Sequence, residues 1–336
     1  GEEALRRIEV VADDALHRYG DLSPRGVREH RGIAERMYCS FPEIFSTSDG
    51  RLCRIRARST LVPRCMLSMA AANERLKELN PAIDITREAS KRYLDYMFCM
   101  TEANKIKKEI KQRIAELRER EIDPSRFVRA LVTDPSLVGN RKEQLRFMND
   151  LYCVASVMQD VDYLDCSFYD LFTFDELCRF WECDNYTYYV EKGPDPRNRG
   201  RGTALAETLL DDIVSRAGED MAAGEPSVRL RFGHDGCIMA LLTLMRIDGW
   251  TTPVTDPAKI KDVWQVHRIP MASNMQFVFY RNKKNPDDVL VRVLLNEKEL
   301  RLPLPGDRAP YYRWEDFRDF YAGIVREARL KLEATK

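Results

Sequence analysis

Residues 227–236 read SVRLRFGHDG, and this stretch sets the interpretation of the whole chain. Its first six residues predict a strand, which runs directly into Gly233-His234-Asp235-Gly236. The glycines on both sides of His234-Asp235 permit a tight turn and a close approach of a ligand. Ligands of open α/β sheets bind beyond the carboxyl ends of the strands, and His234-Asp235 occupies such a strand end.

A second strand end lies upstream. Residues 52–57 alternate as a strand does, residues 60–79 predict a helix, and residues 83–85 predict another short strand. This strand–helix–strand order is typical of a parallel α/β unit. Arg58-Ser59-Thr60 therefore takes a position equivalent to that of His234-Asp235, and we expect the two strand ends to converge on one phosphate.

The residue types at the two strand ends indicate phosphate chemistry. A guanidinium beside the free N–H groups of a helix start suits phosphate, and arginine offers paired hydrogen bonds that lysine cannot match. We therefore predict that Arg58, Thr60 and Arg64 bind phosphate. A histidine can carry positive charge near phosphate and a carboxylic acid can protonate a leaving oxygen, so His234 and Asp235 are predicted to be catalytic.

Further cations lie near these segments in the sequence. Arg54 and Arg56 are spaced at period two and share one strand face, a pattern that exposed edge strands also tolerate. Lys91 follows the second strand, and Arg199 belongs to a turn-rich basic loop. We predict these four residues as weaker substrate-binding positions.

The middle of the chain differs in character from both ends. We predict an α/β domain formed by residues 1–87 and 203–336, with a mostly parallel sheet flanked by helices, and a helical cap domain at residues 88–202. The densely charged residues 101–121 favour a solvated helix. Aromatic residues crowd positions 163–189, where packing of a helical subdomain is favoured over a ligand-stacking surface.

Caps, turns and periodicity predict the remaining elements. Ser23 fits a helix N-cap and Pro24 the first helical position, and that helix should end before Phe41-Pro42. Further helices are predicted at residues 1–19, 125–132, 142–159, 203–223, 238–245 and 314–332, and further strands at residues 276–280, 289–295 and 300–304, the last two joined across Asn296-Glu297.

Composition excludes several classes of function. The 54 Lys and Arg residues balance 54 Asp and Glu residues, so a general nucleic-acid binder is not expected. No apolar run approaches the ~18 residues that a bilayer crossing needs, and the first residues lack the order of a signal peptide. Nine cysteines occur without a C-x-x-C pair, and with four histidines they argue against a zinc cluster. They allow one or two disulfides.

These motifs together resemble branch 2 of the histidine phosphatase superfamily, the histidine acid phosphatases and phytases, and are most similar to bacterial multiple inositol polyphosphate phosphatases. The resemblance covers nearly the whole chain and depends on four segments, of which the second and third in the order given next are the specific ones. It rests on LSPRGV at residues 22–27 with Glu29-His30-Arg31; on Arg58-Ser59-Thr60 with Pro63-Arg64-Cys65 and Ser68; on Arg231 to Asp235; and on Pro270-Met271-Ala272 with Asn274.

The resemblance implies hydrolysis of a phosphomonoester in two steps, without a metal or another cofactor. A histidine in an R-H-G-x-R-x-P motif attacks phosphorus and forms a phosphohistidine, which water then hydrolyses. Arg58 is implied as a phosphate ligand, His234 as the second histidine on the phosphoryl oxygens, and Asp235 as the proton donor. The implied substrate is a small-molecule phosphomonoester such as an inositol phosphate, and the implied location is the periplasm or outside the cell.

The chain departs from the family pattern in two places. The inositol polyphosphate branch often has H-A-E, with Glu third, whereas Gly236 stands there; the acid is then Asp235, as in the H-D phytases. No R-H-G-x-R-x-P motif occurs, and we expect the nucleophilic histidine upstream of Gly1. Two alternatives stay open, a non-catalytic protein that binds inositol phosphate or phosphate and a helical interaction module built on residues 88–182.

Overall fold

The fold is taken from a computed structural model that describes residues 1–47, 50, 52–98, 100–224, 227–306 and 308–334, with the backbone alone at residues 98, 100–104 and 106. The helices are α1 (Glu2–Ala15), α2 (Pro24–Ser40), α3 (Pro42–Phe45), α4 (Pro63–Leu79), α5 (Leu94–Phe98), α6 (Met100–Glu121), α7 (Ser125–Leu131), α8 (Arg141–Val157), α9 (Phe174–Lys192), α10 (Arg201–Ala204), α11 (Glu207–Ala223), α12 (Asp235–Leu244), α13 (Ile260–Val263) and α14 (Trp314–Ala334). The strands are β1 (Arg54–Ser59), β2 (Asp84–Ala89), β3 (Ser227–Phe232), β4 (Met275–Arg281), β5 (Val289–Leu295), β6 (Lys298–Glu299) and β7 (Tyr312–Arg313).

A parallel sheet positions the candidate site. In the described residues its strands lie in the order β2, β1, β3, and Arg58 at the end of β1 is in register with Glu88 on one side and Arg231 on the other. Because the strands are parallel, their carboxyl ends lie at one edge. The prediction of an α/β fold with a parallel sheet flanked by helices is confirmed.

The two faces of β1 have different surroundings. Ile55 and Ala57 are buried, and Ile55 packs in one apolar core with Ala72 and Leu76 of α4. Side chains alternate between the faces of a strand, so Arg58 projects from the face away from α4. On that second face α11 meets β3 through ion pairs from Arg229 to Asp220 and from Arg231 to Asp212, each at 2.6 Å.

A larger apolar core joins the middle of the chain to its C-terminal third. It contains Phe127 and Phe180 from the predicted cap together with Val291 of β5 and Phe317 of α14. This core therefore continues across residues 202 and 203. The division into an α/β domain and a cap domain at that point stays a prediction.

The C-terminal strands form an antiparallel sheet of β4, β5, β6 and β7. Asn296 and Glu297 have positive φ angles of 49° and 65°, as in a two-residue hairpin turn. Pairing therefore resumes directly after Glu297, in β6, and the predicted strand at residues 300–304 is wrong. Pro303 lacks the N–H group that a continued ladder would need.

Helix starts agree with prediction where the cap is strong. Ser23 Oγ accepts a hydrogen bond from the backbone N–H of Gly26 at 3.0 Å and Pro24 opens α2, as predicted. The predicted helix start at Thr60 is wrong, because Pro63 takes the first position of α4 after an extended Val62. The helix predicted at residues 203–223 is divided into α10 and α11.

Two further findings concern membranes and cysteines. Within the described ranges, no helix unites the length and the apolar character that a bilayer crossing demands. The cysteines of the described residues are free thiols, so none of them pairs with another described cysteine. Cys99 lies outside the described residues.

Candidate functional site

The candidate site lies at the sheet edge where β1 and β3 end. The backbone N–H of Thr60 donates to the carbonyl of Phe232 at 3.1 Å, so the two segments stay paired beyond the last residue of β1. The chain then turns at Gly233, and α12 begins at Asp235 with His234 as its N-cap. The two predicted strand ends are therefore adjacent.

His234 makes the central side-chain contacts of this edge. Its Nε2 atom lies 3.3 Å from Oγ1 of Thr60 and 3.9 Å from the sulfur of Cys65. The Cys65 thiol also donates to the carbonyl of Gly233 at 3.2 Å, which fixes the first turn of α4 against the turn before α12. The structure thus brings together Thr60 and His234, and it adds Cys65, which the sequence indicated only as part of the family motif.

The environment of His234 disfavours its charged form. Burial lowers the pKa of His234, and the positive charge of Arg64 lowers it further, to about 4, although the carboxylate of Asp235 acts in the opposite direction. The imidazole is therefore neutral at neutral pH. A bound anion would favour its protonation, since a neighbouring negative charge stabilises imidazolium.

Arg64 is the second residue of α4 and its side chain is exposed. Its backbone N–H donates to the carbonyl of Gly20 at 3.0 Å, which anchors the helix start. No carboxylate of the described ranges forms an ion pair with its guanidinium, whose charge acts on His234 and Cys65 instead. Arg64 is thus a cation available to a ligand at this edge.

Asp235 is exposed beside His234 and receives a hydrogen bond from the middle of the chain. The hydroxyl of Tyr188, on α9, donates to Oδ2 of Asp235 at 3.3 Å. Burial, and then the negative charge of Asp235, raise the pKa of Tyr188, so the phenol stays protonated and acts as a donor. Sequence reasoning counted Tyr188 only among the aromatic residues at 163–189.

Lys192, one helical turn after Tyr188, lies over the start of α12. A Cβ atom built on Gly236 would be 3.2 Å from Cε of Lys192 and 3.9 Å from its Nζ. Glycine at position 236 therefore leaves the space that the lysine side chain uses. Sequence reasoning missed Lys192, although the i, i+4 spacing of Tyr188 and Lys192 indicates that both share one helix face.

Arg58 is engaged by neighbours on the other face of the sheet. Its Nε donates to Glu88 at 2.9 Å, its NH1 group donates to the Tyr96 hydroxyl at 3.2 Å, and its guanidinium lies 4.5 Å from the ring centre of Tyr93. Burial opposes its charge, but the hydrogen bonds to Glu88 and Tyr96 outweigh burial and raise the pKa of Arg58. Its role as a phosphate ligand stays a prediction, and a ligand would have to compete with Glu88.

The four weaker candidates are dispersed. Arg54 begins β1, roughly 16 Å of extended strand from the carboxyl end, and Arg56 is exposed between them. Lys91 is exposed and lies two positions after Ala89, the last residue of β2, so it shares the sheet edge with His234. Arg199 is exposed between α9 and α10. Of these four, Lys91 has the position that best suits substrate binding.

Comparison with known families and proteins gives one family match. The model of the histidine phosphatase superfamily (branch 2) matches residues 17–296 of the chain. A search of the curated proteins finds no match.

Several solved structures are similar to the chain in fold. The Bifidobacterium longum multiple inositol polyphosphate phosphatase in complex with inositol hexasulfate has a TM-score of 0.73 and 19% identity, over 94% of this chain and 82% of that chain. Its complex with phosphate has a TM-score of 0.72 and 18% identity, over 96% and 84%. The Citrobacter braakii phytase has a TM-score of 0.56 and 12% identity, over 91% and 88%.

Proposed function

The chain belongs to branch 2 of the histidine phosphatase superfamily, and from that premise we propose that it hydrolyses phosphomonoesters of polyphosphorylated small molecules, with inositol polyphosphates as the substrate class. Similarity in fold to an inositol polyphosphate phosphatase that was solved with inositol hexasulfate and with phosphate supports this class. The observation that carries the proposal is a neutral His234 that contacts Thr60 within reach of the charge of Arg64.

In the proposed complex, Arg64, Thr60 and His234 hold the phosphoryl oxygens. Arg64 supplies a fixed positive charge, while the hydroxyl of Thr60 and Nε2 of His234 supply hydrogen bonds. A phosphate dianion raises the pKa of a neighbouring histidine, so binding draws a proton onto His234 and makes it a second cation. Positive charge therefore increases at this edge when the anion arrives.

Asp235 is the proposed proton donor to the leaving alcohol. It is exposed next to His234, and the hydrogen bond from Tyr188 to Oδ2 holds the carboxyl group in one orientation. Oδ1 is then directed to the leaving oxygen, which takes the proton as its bond to phosphorus breaks. In the family scheme the phosphoryl group passes to a histidine and then to water, and we propose the same order here.

Leaving-group dependence tests this assignment in the full-length protein. Asp235→Asn should lower the turnover of an alkyl phosphate about 10²–10⁴-fold, the usual contribution of a general acid. Turnover of p-nitrophenyl phosphate should fall much less, because nitrophenolate leaves without needing a proton. Asp287→Asn, at an exposed aspartate between β4 and β5, is the matched control.

Two results would count against the proposal in different ways. An equal loss on both substrates, or no loss on either, would contradict the role of Asp235. If the unaltered protein hydrolysed neither substrate but bound inositol hexakisphosphate in a calorimeter, the non-catalytic binder would be the better description.

A further inference from the structure

A cation from the helical block lies over Gly236, the residue that follows the proposed proton donor. We propose that Lys192 binds a second phosphate group of the substrate, next to the one that is hydrolysed, and so selects polyphosphorylated over singly phosphorylated substrates. This inference rests on the proposed function and specifies how the same site recognises its substrate class.

Gly236 leaves the space in which the side chain of Lys192 lies. The end of its side chain occupies the space above Gly236, where an added Cβ would meet Cε at 3.2 Å. Gly236 is the second residue of α12 and directly follows Asp235. The ammonium group therefore lies above the first turn of that helix, 3.9 Å from the position of a Cβ atom built on Gly236, the residue next to Asp235.

A second contact fixes the same helix face toward the site. Tyr188 and Lys192 are four residues apart on α9, and residues at this spacing lie one above the other on a helix. Tyr188 donates to Asp235 at 3.3 Å, while Lys192 covers the next residue, Gly236. Two successive turns of α9 thus line the start of α12.

The charges around Lys192 support its assignment as an anion-binding residue. Lys192 forms no ion pair with a carboxylate in the part of the chain that the structure describes, and its side chain is partly buried. The neighbouring carboxylate of Glu191 has Lys107 at 3.9 Å. Burial raises the pKa of Glu191, and the charges of Lys107 and Lys192 both oppose that shift. Two cations without an ion-pair partner among the described residues therefore lie near His234-Asp235, Arg64 from α4 and Lys192 from α9.

The chemistry of lysine fits a contact to a neighbouring phosphate better than to the reacting one. Lysine binds phosphate as a point charge on a flexible stem, whereas arginine gives a fixed bidentate geometry. A flexible cation suits a group whose position differs as successive positions of a ring are presented for hydrolysis. A substrate with a single phosphate has no group for Lys192 to bind.

The test compares two substrates in the full-length protein. We expect Lys192→Met to lower the ratio of kcat/KM for inositol hexakisphosphate to kcat/KM for p-nitrophenyl phosphate about tenfold, as loss of one charge-assisted contact would. Lys192→Arg should keep most of the ratio. Lys142→Met, at an exposed lysine of α8 in the same helical block, is the matched control, and thermal melting checks that each variant folds.

The outcomes separate this inference from the proposed function. An unchanged ratio in Lys192→Met, or an equal fall in Lys142→Met, would overturn the role of Lys192 while hydrolysis itself persists. If the unaltered protein hydrolyses neither substrate, the proposed function fails. Calorimetry with inositol hexakisphosphate then tests whether Lys192 still contacts a phosphate group of the ligand. Weaker binding by Lys192→Met, with unaltered binding by Lys142→Met, supports the phosphate contact. Equal binding by Lys192→Met and the unaltered protein rejects it.

Discussion

Oγ1 of Thr60 lies 3.3 Å from Nε2 of His234, although 174 positions of the chain separate the two residues. The contact forms because β1 and β3 are parallel neighbours whose carboxyl ends share one edge. Thr60 also donates its backbone N–H to Phe232, so its position depends on β3. The proposed phosphoryl site therefore depends on both segments together.

Removal of the Thr60 hydroxyl tests this contact. Thr60→Val keeps the branched shape and removes the hydrogen-bonding group. We expect kcat/KM for p-nitrophenyl phosphate to fall about tenfold, because a hydrogen bond to a charged group contributes about 1.5 kcal/mol or more. Thr60→Ser, which keeps the hydroxyl, should retain most of the activity. Full activity in Thr60→Val would show that the hydroxyl does not bind the phosphoryl group.

Tyr188 should act by orienting Asp235. Tyr188→Phe removes the donor to Oδ2 and keeps the ring, so we expect turnover of an alkyl phosphate to fall several-fold while p-nitrophenyl phosphate is affected less. Tyr163→Phe, at an exposed tyrosine that pairs with Asp14 and Arg18, is the control. An equal loss on both substrates would indicate a packing role for Tyr188.

The low pKa of His234 should appear as a pH dependence of stability. The folded-state pKa of about 4 lies below the ordinary value of 6.5, so the unfolded chain binds a proton between these pH values and the folded chain does not. The free energy of unfolding should therefore fall as the pH drops from 6.5 to 4, by roughly 3 kcal/mol at most because His234 is partly exposed.

Urea unfolding at several pH values measures this effect. His234→Gln should show a smaller slope than the unaltered protein, and 10 mM phosphate should reduce the slope of the unaltered protein, since a bound anion raises the pKa of His234. The remaining slope in His234→Gln includes His30, whose pKa burial also lowers. Identical slopes in the two proteins would contradict the depressed pKa of His234.

Local signals were sufficient for several elements. The bounds of β3 agree with the predicted strand at residues 227–232, because apolar Val228, Leu230 and Phe232 alternate there with polar residues and a glycine follows at once. Ser23 and Pro24 give α2 its predicted start through a cap and a fixed φ angle. The adjacency expected of the two strand ends was confirmed for Thr60 and His234, since parallel strands share one carboxyl edge.

Other features depend on register and on distant segments. Glu88 is directly opposite Arg58 in the pairing of β1 with β2, and nothing near Arg58 in the sequence indicates this partner. Tyr188 and Lys192 reach the site only because α9 packs against α12. A periodicity shows which helix residues share a face, but it does not show which element that face meets.

The parallel pairing of β1 also has a consequence for synthesis of the chain. Ribosomes add roughly 5–20 residues per second, so the 174 positions between Thr60 and His234 represent about 10 to 35 s. During this interval β1 has no β3 beside it, and an open strand edge invites pairing with other chains. Charged side chains oppose such pairing, and the exposed Arg54 and Arg56 supply them on this strand. We expect these two arginines to disfavour such pairing until β3 has been synthesised.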